Sequence, residues 1–244
     1  MCYNIAYIEQ KLEKYAERYE RFQPSEKKES GVRLEIPANY FISGFSHPVL
    51  PIVKHDGIFL FEWGLIPPWV KDLKTAHEIR TKTLNAVGET VFEKPSFKRS
   101  IASQRCLLGI SGFYEWRDLN NIKYPYFIHT KNKDVFSLGC IYETWVDRST
   151  GEIRNTFSIL TTPANPLMET IHNLKKRMPL ILSREDEKKW VEPTLTKEQI
   201  SALIKPYPET ELSAYTISQS VNNARNNRNM PEILERVNYP ELSF

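Results

Sequence analysis

The period of the apolar positions changes several times along this chain. Over residues 9–24, Leu12, Tyr15, Tyr19 and Phe22 recur at helical spacing with Glu and Lys between them. That predicts an amphipathic helix, packed on the core by one stripe or offering that stripe to a partner. The polar stretch from Gln23 to Gly31 ends the pattern. From Ile36 to about Leu65, short apolar runs are broken by Pro, Gly and Ser, which predicts strands with tight connections. The segment Trp63-Gly64-Leu65-Ile66-Pro67-Pro68-Trp69 is too proline-rich for a helix interior.

Strand patterns return at Arg105 to Ile110, Phe113 to Arg117, Tyr124 to His129, Val135 to Tyr142 and residues 155–161, with a late one at Ser213 to Ile217. Helical patterns fall at 165–173, 184–191 and 196–204. Strands and helices do not alternate strictly, so the expected class is α+β rather than a doubly wound sheet. No internal repeat, low-complexity tract or linker divides residues 1–244, and one domain is expected.

Composition narrows the class. With 41% hydrophobic residues, the chain can build a sizeable core. No apolar run approaches the length needed to span a bilayer, and the opening residues lack the apolar stretch of a signal peptide. A cytoplasmic protein without membrane contact is expected. A net charge of +3 is too mild to argue for nucleic acid by itself. Cys2, Cys106 and Cys140 are far apart and odd in number, which suggests neither a disulfide framework nor a structural metal.

Four places could carry chemistry. Removal of Met1 would leave Cys2 with an α-amine and a thiol on adjacent carbons. Their ordinary pKa values, roughly 7.7–8.0 and about 8.5, leave both partly available at cellular pH. The amine can add to an aldehyde and the thiol can close the imine to a five-membered ring. Alternatively the thiol serves acyl transfer, or position 2 is simply a frayed end. Glu115, in Ser111-Gly112-Phe113-Tyr114-Glu115-Trp116, either faces a partly apolar pocket that raises its pKa or lies on the wet face of an edge strand. Asn85 either orients an amine or caps a helix entering at Ala86. His172 is either structural or a proton carrier, and the cations of Lys175, Lys176 and Arg177 beside it could hold phosphates.

Several blocks occur in one order: Met1-Cys2, then Trp63-Gly64-Leu65-Ile66-Pro67, then Asn85-Ala86 with Glu89-Thr90. Arg105-Cys106-Leu107 leads to Gly112-Phe113-Tyr114-Glu115-Trp116. His172 precedes Arg177-Met178-Pro179-Leu180-Ile181-Leu182, and Val221-Asn222 comes late. In this order the chain resembles the SRAP (SOS response-associated peptidase) family over nearly its whole length.

The resemblance implies a single α+β domain with a β-rich, barrel-like core. It also implies covalent capture of abasic sites in single-stranded DNA, through a thiazolidine on the processed amino-terminal cysteine. Cys2 would supply amine and thiol, and Asn85 would hold the adduct. Glu115 would deprotonate the amine and His172 would help open the sugar ring. Lys82, Lys98, Arg99, Lys175, Lys176 and Arg177 are the candidate phosphate contacts, with Trp69 and Trp116 as candidate stacking platforms. No cofactor or metal is expected, and the protein is taken to act as a monomer. The rival readings are a thiol (auto)peptidase with Cys2, His172 and Glu115, and a non-covalent single-strand binder.

The chain departs from the family pattern at three points. Tyr3 and Asn4 follow Cys2 in place of Gly-Arg, Val87 stands in place of an arginine, and His172 stands five positions before Arg177 rather than two. Each lost arginine contact is expected to weaken binding and flatten its salt dependence.

Overall fold

A computed structural model describes residues 2–7, 18–19 and 38–242. Two β-layers organise them. Strands β3 (Val49–Lys54), β4 (Gly57–Trp63), β6 (Arg105–Ile110), β9 (Phe136–Val146) and β10 (Ile153–Pro163) pair in the ring β10-β4-β3-β6-β9 and back to β10. This is a closed five-stranded barrel. Closure leaves no open edge among those five strands. The short strands β5 (Asn85–Val87), β11 (Arg177–Pro179) and β12 (Ile181–Leu182) extend it at the ends of β9 and β10.

A second sheet has the order β13-β8-β7-β1-β2. It comprises β1 (Asn4–Tyr7), β2 (Asn39–Ser43), β7 (Gly112–Leu119), β8 (Ile122–Thr130) and β13 (Leu212–Thr216). Ile5, Phe113, Ile128, Ile110 and Leu138 belong to one continuous core that joins this sheet to the barrel.

The helices flank the sheets and are short: α1 (Leu73–Arg80), α2 (Lys98–Ser103), α3 (Pro166–Ile171), α4 (Arg184–Val191) and α5 (Lys197–Leu203). Side chains local in sequence start four of them. Asp72, Asn165, Ser183 and Thr196 each accept a hydrogen bond from a backbone N–H of the first turn, and Thr196 forms a capping box with Gln199. Such caps are worth about 1 kcal/mol each. The three most deeply buried indoles keep their N–H groups bonded: Trp63 to Leu84 O at 2.8 Å, Trp145 to Val70 O at 2.8 Å and Trp190 to Cys106 O at 3.0 Å. The core therefore gains large apolar area without orphaned donors.

The α+β class and barrel-like core expected from the sequence are what the chain forms. The expected strands at 105–110, 113–117, 124–129, 135–142, 155–161 and 213–217 correspond to β6, β7, β8, β9, β10 and β13. β9 and β10 run longer than their apolar patterns because they pair with each other along eleven-residue strands. The helix expected over residues 9–24 lies outside the described residues except at Arg18 and Tyr19, which are helical. Arg18 forms a bidentate ion pair with the buried Glu187 of α4, and Tyr19 OH lies 2.8 Å from Ser137 Oγ. Arg18 and Tyr19 are thus tied to α4 and β9. No helix among the described residues is long and apolar enough to cross a membrane.

Candidate active site

The site forms where the amino-terminal strand meets β7. β1 pairs with β7 in antiparallel register, Ile5 opposite Phe113 and Ala6 opposite Gly112. Gly112 is needed there, because a Cβ would sit 2.2 Å from the Phe127 ring. The register draws the residues before β1 alongside Glu115. Cys2 is fully buried. Burial pushes its thiol well above the usual range, with Glu115 and Cys140 adding to the rise and the charge of the amino terminus opposing it.

Glu115 lies inside a five-stranded sheet, with β1 and β8 on its two flanks, and is only 4% exposed. It is not on the wet face of an edge strand. Burial raises its carboxyl to about 7, against the lowering pull of the amino terminus and Lys175. A carboxyl held there is half ionised at neutral pH, so it can take or give a proton.

His172 caps the C-terminal end of α3. Its Nδ1 is 2.8 Å from the carbonyl oxygen of Arg177, so Nδ1 donates and Nε2 is the accepting nitrogen of the neutral ring. Nε2 lies 3.9 Å from Glu115 Oε2. Burial, with the amino-terminal charge, lowers the imidazole to about 4, leaving it neutral at physiological pH. The five-residue spacing to Arg177 does not carry His172 away from Glu115. The extra residues form a loop in which Lys175 N and Lys176 N both bond to His172 O. Asn173 clamps that loop to β7, accepting from Asp118 N at 3.0 Å and donating to Asp118 O at 2.7 Å.

Asn85 opens β5 and caps no helix. A strand forms there because the segment pairs in parallel with Ile159–Thr161 of β10. Asn85 is 7% exposed, and neither its amide oxygen nor its amide nitrogen has a hydrogen-bond partner among the described residues. Register places Asn85 opposite Ile159, Ile159 opposite Cys140 and Cys140 opposite Cys106, so the four form one file across the barrel wall. Cys2 interacts electrostatically with Cys140. The three cysteines, remote in sequence, are therefore gathered as buried, unbridged thiols. Nothing in their spacing signalled this, because tertiary contacts create it.

The remaining candidates are spread more widely. Lys175 is exposed, and its charge lowers both Glu115 and His172. Lys176 is exposed and 3.7 Å from Glu169. Arg177 is committed to a bidentate pair with Glu89 and to the Thr161 carbonyl at 2.8 Å, so its guanidinium fastens β11 to the turn after β5. Lys82, Lys98 and Arg99 are exposed, with Arg99 Nε 3.9 Å from Glu143. Trp69 is 49% exposed, and its N–H points to Pro95 O, just ahead of Lys98 and Arg99. Trp116 packs against a second apolar cluster that includes Phe41, Tyr114 and Ile217, and its N–H donates to Asn222 Oδ1 at 2.6 Å. Strand alternation puts that cluster on the face of β7 opposite Glu115. No cluster of His, Cys, Asp or Glu suited to a metal ion occurs among the described residues.

The model of a family described as SOS response associated peptidase (SRAP) matches residues 1–224. The abasic site processing protein YoqW of Bacillus subtilis (strain 168) is 41% identical over 175 residues, covering 71% of this chain and 74% of that protein. The abasic site processing protein HMCES of Xenopus tropicalis is 27% identical over 186 residues, 68% of this chain and 53% of that protein. A crystal structure of a protein from Bacteroides thetaiotaomicron superimposes with a TM-score of 0.86 at 38% identity, covering 97% of this chain and all of that one.

Proposed function

Because the chain belongs to the SOS response associated peptidase (SRAP) family, and relatives such as YoqW are named abasic site processing proteins, we propose that it processes abasic sites in DNA by capturing them covalently through Cys2. The observation that carries this reading is the burial of Cys2 beside a carboxyl poised near neutrality, with a neutral imidazole 3.9 Å from that carboxyl.

The steps follow from those protonation states. An abasic sugar rests mainly as a closed hemiacetal. His172 accepts the proton of the anomeric hydroxyl at Nε2 while the C1′–O4′ bond breaks, and the ring oxygen takes a proton from protonated Glu115 or water. The product is an open aldehyde. With Met1 removed, the Cys2 amine attacks that aldehyde and passes a proton to the Glu115 carboxylate. The proton held by His172 passes to the carbinolamine oxygen, and loss of water gives an imine. The Cys2 thiol then adds to the imine carbon and its proton goes to the nitrogen, closing a thiazolidine. The net change is one water released. Asn85, with buried donor and acceptor atoms to satisfy, is suited to hold the ring or the opened sugar.

A peptidase would use Cys2 as a thiolate. Burial opposes that ionisation, and the lowered His172 disfavours a resting imidazolium beside a thiolate. Both features suit an amine-first reaction with a neutral thiol.

The test is incubation with a single-stranded oligonucleotide carrying one abasic site, followed by a denaturing gel. A heat- and detergent-stable protein–DNA band is expected, and none with a tetrahydrofuran analogue that has no aldehyde. A conserved gel pattern for both strands would overturn the reading.

A further inference from the structure

The rim beside Cys2 carries an aromatic pair that the capture chemistry does not use. Tyr3 and Phe45 lie with ring centroids 5.0 Å apart at an interplanar angle of 37°. Phe45 is 56% exposed at the centre of the turn Gly44–Ser46 that follows β2. A single exposed aromatic is ordinary on a protein surface. This one is held in place from three directions. Gly44 N donates to Tyr3 O at 2.8 Å, which fastens the turn to the residue next to Cys2. A Cβ on Gly44 would lie 3.1 Å from the Trp63 indole, so the turn is packed flat on the core. His47 closes the turn in the left-handed region, with φ of 50°, and its Nδ1 is 2.8 Å from Trp63 O.

Charge separates the possible occupants. Neither residues 2–7 nor residues 38–53 contain a single Lys or Arg. These two segments therefore offer no cation of their own to neutralise a phosphate. They do offer a rigid π-face backed by a second ring. Tyr3 also feels the charges of Glu115 and Cys2, which, after burial, raise its hydroxyl above the ordinary range. The pair is thus close to the reacting groups.

We propose that Phe45, backed by Tyr3, is a stacking subsite for an unpaired nucleobase flanking the baseless sugar. Its placement rests on the capture reading. The subsite grips through base faces and is indifferent to which base is present, because every base has a π-face. The affinity it supplies does not vary with salt, unlike affinity from cations that displace counterions.

The test is fluorescence anisotropy of two labelled single strands with the full-length protein. Both carry a central tetrahydrofuran residue, which cannot react. One has ordinary bases on either side, and the other has further tetrahydrofuran residues there. The wild type should prefer the base-flanked strand. Phe45→Ala should weaken that strand by about five- to a hundredfold, leave the baseless strand unchanged and leave the salt slope unchanged. Phe45→Leu should behave like Phe45→Ala, and Phe45→Trp should retain the preference. Equal losses on both strands, no loss on either, or a wild type without preference would overturn the subsite. If the preference is present and depends on Phe45 while a natural abasic strand gives no adduct, the capture reading fails and the subsite stands.

Discussion

His172 presents Nε2 to Glu115 Oε2 at 3.9 Å while its Nδ1 is held by the Arg177 carbonyl. The two side chains come from β7 and from the end of α3. One is a carboxyl raised to about 7 and the other an imidazole lowered to about 4. Near neutral pH the carboxyl is therefore accessible in both its forms while the imidazole is neutral. A pair in that state can move a proton in either direction as an intermediate demands.

The roles proposed for the two groups can be separated by substrate. His172→Ala should slow capture of an abasic site, whose sugar must first open, while sparing reaction with a small aldehyde that is already open. Glu115→Ala should slow both, by about a hundredfold to ten-thousandfold. Parallel rate measurements on the two substrates check this. Equal slowing of both by His172→Ala would remove its ring-opening role.

The two groups also leave opposite marks on stability. Glu115 ionises near 4.5 when unfolded and near 7 when folded. Its contribution is full below about 4.5 and is lost as pH rises through 7. Glu115→Gln should therefore stabilise the protein at pH 8 relative to pH 4.5, by up to about 3 kcal/mol. His172 ionises near 6.5 unfolded and near 4 folded. Its contribution is present above 6.5 and is lost as pH falls through 4, so His172→Gln should flatten the acid side. Thermal melts of each variant across pH 4–8 test the signs. A Glu115→Gln gain that does not vary with pH would contradict the raised carboxyl.

Asn85 should trade stability for function. A buried amide without partners costs about 1–3 kcal/mol, and an apolar side chain of similar size avoids that cost. Asn85→Leu should raise the melting temperature by at least about 2 °C while lowering adduct yield or lifetime. Calorimetry and a time course on denaturing gels report the two quantities. A destabilised variant with intact capture would mean that the amide is structural.

Processing should be required. Cys2→Ala should give no stable adduct, because the thiol that closes the ring is gone. The remaining amine can still form an imine, which survives denaturation only after borohydride reduction. Intact-mass analysis of adduct-forming protein should show a chain beginning at Cys2, and fully retained Met1 would rule out the thiazolidine.

A cation introduced at Val87 should strengthen the hold on DNA. Val87 ends β5, two residues from Asn85, and is half-buried. Val87→Arg should tighten single-strand binding and steepen its salt dependence by about one unit of slope. No change in either would show that this edge does not face DNA.

Much of the molecule was legible in the order of its residues. Alternating apolar runs marked β6 to β10, and helical spacing marked α3 to α5, because those periods are imposed by the backbone of each element. The motif order singled out Cys2, Asn85, Glu115 and His172. Only tertiary structure decided what their surroundings make of them. Whether Glu115 was wet or buried depended on β1 and β8 flanking β7. Asn85 could have capped a helix until β10 paired with it. Arg177 looked like a phosphate ligand until Glu89, 88 residues away, took its guanidinium. Trp116 sits one residue from Glu115, yet the pleat turns it to the other face. Cys2, Cys106 and Cys140 have no local pattern at all; strand register pairs Cys106 with Cys140, and the docking of β1 on β7 carries Cys2 within their reach. Local sequence carries periodicity, whereas desolvation and proton affinity depend on neighbours brought in from distant parts of the chain.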